Sequence, residues 1–179
     1  MMTAQPEISQ LVDHLFRHES GRLVAVLTRI FGLENLELAQ DVVQDALVEA
    51  INHWQYKGIP DNPSAWLFRV AKNKAVNQIN RDKKKMHYSS DVMHYLQSKW
   101  TAGPALEHLF SEEEIQDNVL RMIFACCHPA ISSDSQIALA LRTLCGFNIP
   151  EIARAFLTTE ENITKRLVRA RKTIRDYKI

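Results

Sequence analysis

Apolar residues recur along the chain at intervals of three and four positions, the spacing that places them on one face of an α-helix. The pattern is clearest from Glu7 to Phe31, from Asn35 to Trp54 and from Pro63 to Arg81. Strand-like alternation is scarce, and the 179 residues include only five glycines and six prolines. We therefore expect an all-α protein, with Gly21 as a candidate break within the first helix.

Residues that commonly begin helices mark further elements in the second half of the chain. Ser111 with Glu114 predicts a capping box at the start of an apolar helix. Asn148 can cap a short helix, and Thr158 with Glu161 predicts a second capping box that starts the next helix. Two helices joined by a short turn in this way form a helix-turn-helix pattern.

The outer face of the second helix in this pattern is basic. It carries Lys165, Arg166, Arg169, Lys172 and Arg175. Cations placed there can meet phosphates and base edges in a major groove, although a solvated face is the alternative interpretation. The turn departs from the usual pattern, because Leu157 occupies the place where glycine commonly provides a left-handed backbone.

Charged residues are strongly segregated, although the net charge is only +1. Lys and Arg cluster from Arg69 to Lys85 and from Lys165 to Lys178. From Glu34 to Glu49 the charged residues are all acidic. Two basic patches and one acidic patch are typical of a protein that binds nucleic acid at two places and a basic protein surface at a third. Segregation alone, however, fits many soluble proteins.

The predicted helix that begins at Pro63 has an unusual composition. Its outer face interleaves cations with asparagines, and no acidic residue occurs from Ser64 to Arg81. Asparagine can hydrogen-bond exposed base edges, while lysine and arginine bind phosphate. An ordinary solvated face would more often mix glutamate with lysine, so the composition favours nucleic-acid binding.

A polar, weakly patterned stretch separates two groups of predicted helices. It contains Lys83-Lys84-Lys85 and one predicted short helix at about Val92 to Lys99. We expect a first domain of residues 1–82, a linker of residues 83–110 and a second domain of residues 111–179.

The sequence disfavours several other classes of protein. No run is long and apolar enough to cross a membrane, and the N-terminus lacks the layout of a signal peptide, so we expect a cytoplasmic protein with no membrane partner. Cys126-Cys127-His128 suggests a zinc site or a Cys/His enzyme, but adjacent cysteines do not easily surround one tetrahedral ion. No acid or glycine-rich loop accompanies them. We expect no catalytic residue, no metal and no cofactor.

Two separate parts of the chain resemble one family. Ala39 to Ala50 and Pro63 to Ala75 resemble region 2 of bacterial sigma factors of the extracytoplasmic-function (ECF) group. Glu151 to Ala153 and Arg166 to Lys172 look like their region 4. The resemblance covers nearly the whole chain in the right order, with a linker between. It implies an alternative sigma factor, a non-enzymatic subunit that binds core RNA polymerase and directs promoter recognition, DNA melting and transcription initiation.

The resemblance implies a role for each polar surface. The acidic helix would bind the clamp helices of the largest polymerase subunit through Asp41, Gln44, Asp45 and Glu49. The asparagine-rich helix would bind the melted minus-ten element through Arg69, Lys72, Asn73, Asn77 and Arg81. The second helix of the helix-turn-helix would bind the duplex minus-thirty-five element through Asn162, Lys165, Arg166, Arg169 and Lys172.

Within the ECF group, Cys126 to Pro129 and Asp61 to Trp66 are similar to a subgroup that carries a large helical-repeat extension after region 4. Because the chain stops at Ile179, we expect either a truncated chain or a protein that folds without this extension. A C-terminal regulatory extension and an anti-sigma factor are both candidate partners. The alternative function is a stand-alone helix-turn-helix regulator that binds duplex DNA as a dimer, which would leave the asparagine-rich helix without a role.

Overall fold

The computed structural model of the protein describes residues 4–82, 107–177 and 179, and all regular structure in this part is helical. Seven α-helices lie wholly within it: α1 (Ala4–Phe31), α2 (Leu36–Lys57), α3 (Pro63–Asp82), α4 (Glu112–Cys126), α5 (Ser133–Thr143), α6 (Ile149–Ala155) and α7 (Glu160–Tyr177). A 3-10 helix, Leu33–Asn35, joins α1 to α2. No helix in the described residues is long and apolar enough to span a membrane.

The predicted all-α fold is confirmed, and its helices fall into two groups. The predicted linker of residues 83–110 lies mostly outside the described residues, as does the short helix predicted at Val92 to Lys99. Helices α1 to α3 precede it and helices α4 to α7 follow it.

Helices α1, α2 and α3 pack around a common apolar core. Leu27 of α1, Trp54 of α2 and Leu67 of α3 are fully buried. The Trp54 ring packs edge-on against Trp66 of α3, with 5.2 Å between ring centroids. Because aromatic pairs of this kind bury large areas in a specific geometry, they fix the relative orientation of α2 and α3.

Glycine, asparagine and proline, residues that commonly end and begin helices, form the boundary between α2 and α3. Gly58 ends α2 with a positive φ of 80°, and its N–H donates to the Trp54 carbonyl. Pro63 is the first residue of α3, and the Asn62 side chain accepts a hydrogen bond of 2.9 Å from the Ala65 N–H. The asparagine side chain accepts a hydrogen bond from an N–H of the first turn that has no partner within the helix. Proline at the first helical position has no N–H that would need a partner.

Helix α1 is continuous through Gly21, so the predicted break at this residue is wrong. A Cβ atom on Gly21 would lie 2.8 Å from the Cα atom of Leu144 and closer still to the Leu144 carbonyl oxygen. Gly146 has a φ of 67°, and a Cβ atom there would lie 3.2 Å from the Cα atom of Arg17. The two glycines therefore allow α1 to lie directly against the backbone that follows α5.

Helices α5, α6 and α7 form the helix-turn-helix core. Leu139, Ile152, Ile163 and Ile174 are fully buried, and the small Ala153 lies among them. The predicted cap of α6 is confirmed. The Asn148 side chain accepts a 2.8 Å hydrogen bond from the Glu151 N–H, and the Glu151 side chain accepts one of 2.8 Å from the Asn148 N–H. A reciprocal cap of this kind fixes the start of the first helix.

Helix α7 begins one residue later than predicted, and the capping box predicted at Thr158 is wrong. The Thr159 side chain is the cap, since it accepts a 3.3 Å hydrogen bond from the Asn162 N–H. The Thr158 N–H is already bonded to the Ala153 carbonyl at 2.9 Å. Thr158 thus closes α6, and its hydroxyl accepts a 3.1 Å hydrogen bond from the Asn162 side chain and not from a backbone N–H of α7.

Leu157 adopts the left-handed conformation that its place in the turn predicts, with a φ of 49°. Its side chain is 94% exposed. A left-handed backbone costs a residue with a Cβ roughly 1–2 kcal/mol, and burial of this side chain returns almost nothing. The backbone at Leu157 is therefore a site of local strain in the helix-turn-helix.

Leu157→Gly should raise the free energy of unfolding by about 1 kcal/mol, because it relieves the left-handed strain without exposing apolar surface. Thermal unfolding followed by circular dichroism measures this change. Leu157→Ala is the matched control, since it keeps a Cβ atom and should change stability little. An equal gain in both variants would show that loss of an exposed leucine, and not relief of strain, is responsible.

Candidate nucleic-acid and protein interfaces

The four residues predicted to bind a protein partner share the exposed face of α2. We call them the acidic surface: Asp41, Gln44, Asp45 and Glu49. The opposite face of α2 is buried through Val43, Ala46 and Ala50, so this helix cannot rotate without exposing its apolar stripe. Within residues 4–82 and 107–177, neither aspartate has an ion-pair partner, whereas Glu49 pairs with Lys74 of α3 at 2.8 Å. Two carboxylates are thus available to external cations.

Sequence patterns did not predict the contact between Arg171 of α7 and the residues of α2 that precede the acidic surface. The Arg171 guanidinium donates to the Gln40 side chain at 3.0 Å and lies 3.3 Å from a Glu37 carboxylate oxygen. Arg142 lies nearby, where burial, followed by the charge of Arg171, lowers the pKa of its guanidinium. Nothing in the sequence near Arg171 distinguishes it from the other cations of α7, because its partners are more than a hundred residues away.

The residues predicted to bind unpaired DNA lie on one side of α3, and we call them the amide surface: Arg69, Lys72, Asn73, Asn77 and Arg81. All are exposed except Lys72, which is half-buried and pairs with Glu107 at 3.4 Å. The buried side of α3 carries Leu67, Ala71 and Ile79. Amides and cations on one rigid helix can contact both the bases and the phosphates of a single strand.

An exposed aromatic residue lies in the segment Gln55 to Asn62, which the resemblance implies would form a pocket for an unpaired base, although the sequence did not single out this residue. Tyr56, in the last turn of α2, is 86% exposed. It lines an open cleft with His53, Lys57 and Lys74, and also with Asp45 and Glu49 of the acidic surface. An aromatic ring beside cations is a typical stacking platform for an unpaired base. The sequence could have indicated its exposure, because Tyr56 lies between the polar residues Gln55 and Lys57, two positions before Gly58.

The residues predicted to bind duplex DNA lie on α7, and we call them the recognition surface: Asn162, Lys165, Arg166, Arg169 and Lys172. Lys165 and Lys172 each form a 2.6 Å ion pair with a carboxylate four residues away on the same helix. Exposed pairs of this kind contribute little to stability and are easily exchanged for phosphate contacts. Arg169 is exposed and has no ion-pair partner among the described residues.

Arg166 differs from the rest of the recognition surface because its side chain contacts residues outside α7, within the helix-turn-helix core. Its guanidinium lies 5.4 Å from the centre of the Phe156 ring and 3.2 Å from an Asp134 carboxylate oxygen. The side chain is 28% exposed. Arg166 therefore links α7 to α5 and α6, and only part of it is available to DNA.

The run Cys126-Cys127-His128 lies at the end of α4. Cys126 is buried, and this burial, with a smaller effect of the other two thiols, raises the pKa of its thiol to about 12. The His128 ring accepts a 3.2 Å hydrogen bond from the Ala130 N–H, which closes the turn after the helix. In the part of the chain that the structure describes, no group of three His, Cys, Asp or Glu residues could hold a metal ion.

Two protein-family models match the chain, one to each group of helices. The model of Sigma-70 region 2 matches residues 15–85, and the model of Sigma-70, region 4 matches residues 121–174. Together they cover more than half of the 179 residues. The first match contains the acidic and amide surfaces, and the second contains the recognition surface.

Curated relatives give a consistent result. An uncharacterized protein of Rhizobium meliloti (strain 1021) is 31% identical over 151 residues, which are 84% of this chain and 35% of that protein. The ECF RNA polymerase sigma-E factor of Escherichia coli (strain K12) is 29% identical over 140 residues, which are 75% of this chain and 70% of that protein. The chain thus spans about a third of the Rhizobium protein. No solved structure shows a significant match.

Glu151, which pairs with the cap residue Asn148 at the start of α6, also contacts α1. Its carboxylate accepts a hydrogen bond from the Asn148 N–H and lies 2.9 Å from Arg17. These two contacts, that of Asn148 first, hold the pKa of Glu151 below its ordinary value. The ionised form therefore stabilises the folded protein, and this contribution is lost as the pH falls through the folded-state pKa.

Glu151→Gln should lower stability at pH 7 and leave it nearly unchanged at the acid end of the range, because the unfolded-state pKa is about 4.3 and the folded-state pKa lies lower. Thermal unfolding of both proteins from pH 7 down to pH 2 measures the difference. Glu7→Gln, at an exposed position of α1, is the control. A difference in stability between the wild type and Glu151→Gln that stays constant from pH 7 to pH 2 would contradict the lowered pKa of Glu151.

Proposed function

Because this chain belongs to the sigma-70 family and is an ECF-type alternative sigma factor, we propose that it binds core RNA polymerase and directs the enzyme to promoters with two DNA elements. It is not an enzyme, since sigma factors are non-enzymatic DNA-recognition subunits. The observation that carries the proposal is that three distinct polar surfaces lie on the two matched regions. With its polymerase, we expect the protein to act in the cytoplasm.

The acidic surface is proposed to bind the clamp helices of the largest polymerase subunit. Its unpaired carboxylates, Asp41 and Asp45, are one helical turn apart on a helix whose other face is buried. Charge-assisted hydrogen bonds from basic side chains to such carboxylates are short and orient the partner. We place Gln44 and Glu49 at the border of this contact.

The amide surface is proposed to bind the melted minus-ten element, with Tyr56 as a stacking platform for an unpaired base. Taking a base out of the duplex costs a few kcal/mol, so a rigid surface that binds unpaired bases lowers the cost of melting. Asn73 and Asn77 are exposed and one helical turn apart, which suits hydrogen bonds to successive bases. Arg69 and Arg81 would neutralise the phosphates.

The recognition surface is proposed to bind the duplex minus-thirty-five element in the major groove. Asn162 and Lys165 lie near the N-terminal end of α7, the end that enters the groove in helix-turn-helix proteins. Arg169 and Lys172 follow on the exposed side. Arg166 would contribute through its exposed part while continuing to hold α7 against Phe156.

We further propose that the protein belongs to the ECF subgroup with a C-terminal regulatory extension. The support is the similarity of Cys126 to Pro129 and of Asp61 to Trp66 to that subgroup, together with the greater length of the Rhizobium relative. An anti-sigma factor remains a second candidate regulator. The length of the natural open reading frame tests the extension directly.

Asp45→Arg should abolish co-purification with bacterial core RNA polymerase, because it places a cation where the partner offers basic side chains. Circular dichroism should show an unchanged helical content, since Asp45 is exposed. Glu7→Arg makes the same charge change on α1 and should bind normally. Co-purification of the Asp45→Arg protein at the wild-type level would contradict the docking assignment.

Arg169→Ala should weaken binding of the holoenzyme to a preferred minus-thirty-five duplex by ~1–3 kcal/mol if this side chain contacts a base. A titration measures the affinity for that duplex and for one of unrelated sequence. Arg154→Ala, on the exposed side of α6, is the matched control. Equal weakening on both duplexes would identify Arg169 as a phosphate contact without sequence preference.

A further inference from the structure

Helix α1 exposes a pair of histidines that belongs to none of the three polar surfaces. His14 and His18 are four residues apart, and both are exposed. Their ring centroids lie 4.2 Å apart, and the ring planes are inclined by 43°. In the described part of the chain, neither imidazole has a hydrogen-bond or ion-pair partner. The ring nitrogens of both histidines are therefore available to an external group.

The spacing of this pair is one that binds metal ions. Residues four apart lie on one face of an α-helix, about 6 Å apart along its axis. Two histidines at this spacing hold zinc in helices that carry two of its ligands. Two nitrogens bound to one ion at about 2.0–2.1 Å lie roughly 3 Å from each other. Rings that are already in contact reach this separation by a small rotation about their side-chain bonds.

The packing of α1 fixes the positions of the two rings. The helix is continuous from Ala4 to Phe31, and Ile8, Val12 and Leu15 of the same segment are buried. The helix therefore cannot rotate here without exposing apolar surface. Because the rings are held beside each other, an ion captured by one imidazole meets the second in an intramolecular step, which raises the affinity.

The arginines nearest to the pair are already neutralised by carboxylates. Arg17, between the two histidines in the sequence, lies 3.4 Å from Asp13 and 2.9 Å from Glu151. Arg22, one turn after the pair, lies 2.8 Å from Glu19. These ion pairs offset the positive charge that would otherwise repel a divalent cation.

We propose that His14 and His18 form a two-ligand site for a divalent transition-metal ion that favours imidazole, namely Ni²⁺, Cu²⁺ or Zn²⁺. Water fills the remaining coordination positions, because no third His, Cys, Asp or Glu of the described residues joins the pair. The site thus differs from a structural zinc site, which has four protein ligands. The inference is independent of the proposed function, whose surfaces lie on α2, α3 and α7.

An ion held by both rings joins two successive turns of α1. The unfolded chain does not hold the two imidazoles together, so the ion binds the folded protein more tightly than the unfolded one. Binding therefore raises the temperature of thermal unfolding in proportion to the logarithm of the metal concentration above the dissociation constant.

Isothermal titration calorimetry of the full chain with nickel chloride tests the site. We expect the wild type to bind one ion, and either His14→Ala or His18→Ala to weaken this binding about 10²- to 10⁴-fold, the gain that a second linked contact provides. Alanine is a better helix former than histidine, so circular dichroism should show an unchanged helical content. His108→Ala removes another exposed histidine and should leave the affinity unchanged.

Two double variants test the spacing of the histidines and not only their number. Gln10→His with His18→Ala restores a pair four residues apart, one turn earlier on α1, and should restore nickel binding and the rise in unfolding temperature. Ser9→His with His18→Ala keeps the same number of histidines but places the pair five residues apart, on different faces of the helix. This variant should bind no better than His18→Ala alone. Ser9 and Gln10 are both exposed, so neither change disturbs the core.

Three outcomes would overturn the inference. Wild-type protein that binds nickel no more tightly than both single histidine variants would show that the pair does not act together. Equal restoration by the two double variants would show that spacing is irrelevant. Loss of binding in Cys127→Ser, with both histidine variants unaffected, would place the ion at an exposed thiol instead.

Discussion

The close approach of α1 to the backbone after α5 is the constraint on which the packing of the two groups of helices depends. Gly21 and Gly146 remove the side chains that would hold the two backbones apart. With α1 surrounded, its neighbours α2 and α3 have only their outer faces free, and these faces carry the acidic and amide surfaces. The same packing turns α7 so that Arg171 meets α2 while Arg169 remains exposed.

Charge segregation along the chain has two consequences in the folded protein. It provides separate surfaces of opposite sign on α2 and α7. It also makes those surfaces complementary to each other, because the basic helix α7 and the acidic helix α2 attract when both belong to one chain. The ion pair of Arg171 with Glu37 is where this attraction is realised. This pair holds the basic face of α7 against the edge of α2.

Much of the fold could be predicted from the sequence, because helical periodicity and caps are local. The starts of α3 and α6 follow from Asn62 and Asn148, whose partners are three residues away. The errors concern distant contacts: Gly21 resembles a helix break until Leu144 is placed beside it. Positions of the three polar surfaces were predicted from composition, whereas the role of Arg171 depends on residues of α2 and had no local signal.

The contact between the two groups of helices combines favourable and unfavourable elements. Ile115 and Met122 bury apolar surface against α1, and this favours the contact. The Asn118 amide is buried beside an open cleft of about 540 Å³ and has no hydrogen-bond partner among the described residues, so this part of the contact is less well packed. The ion pairs at the rim are partly exposed and contribute little each.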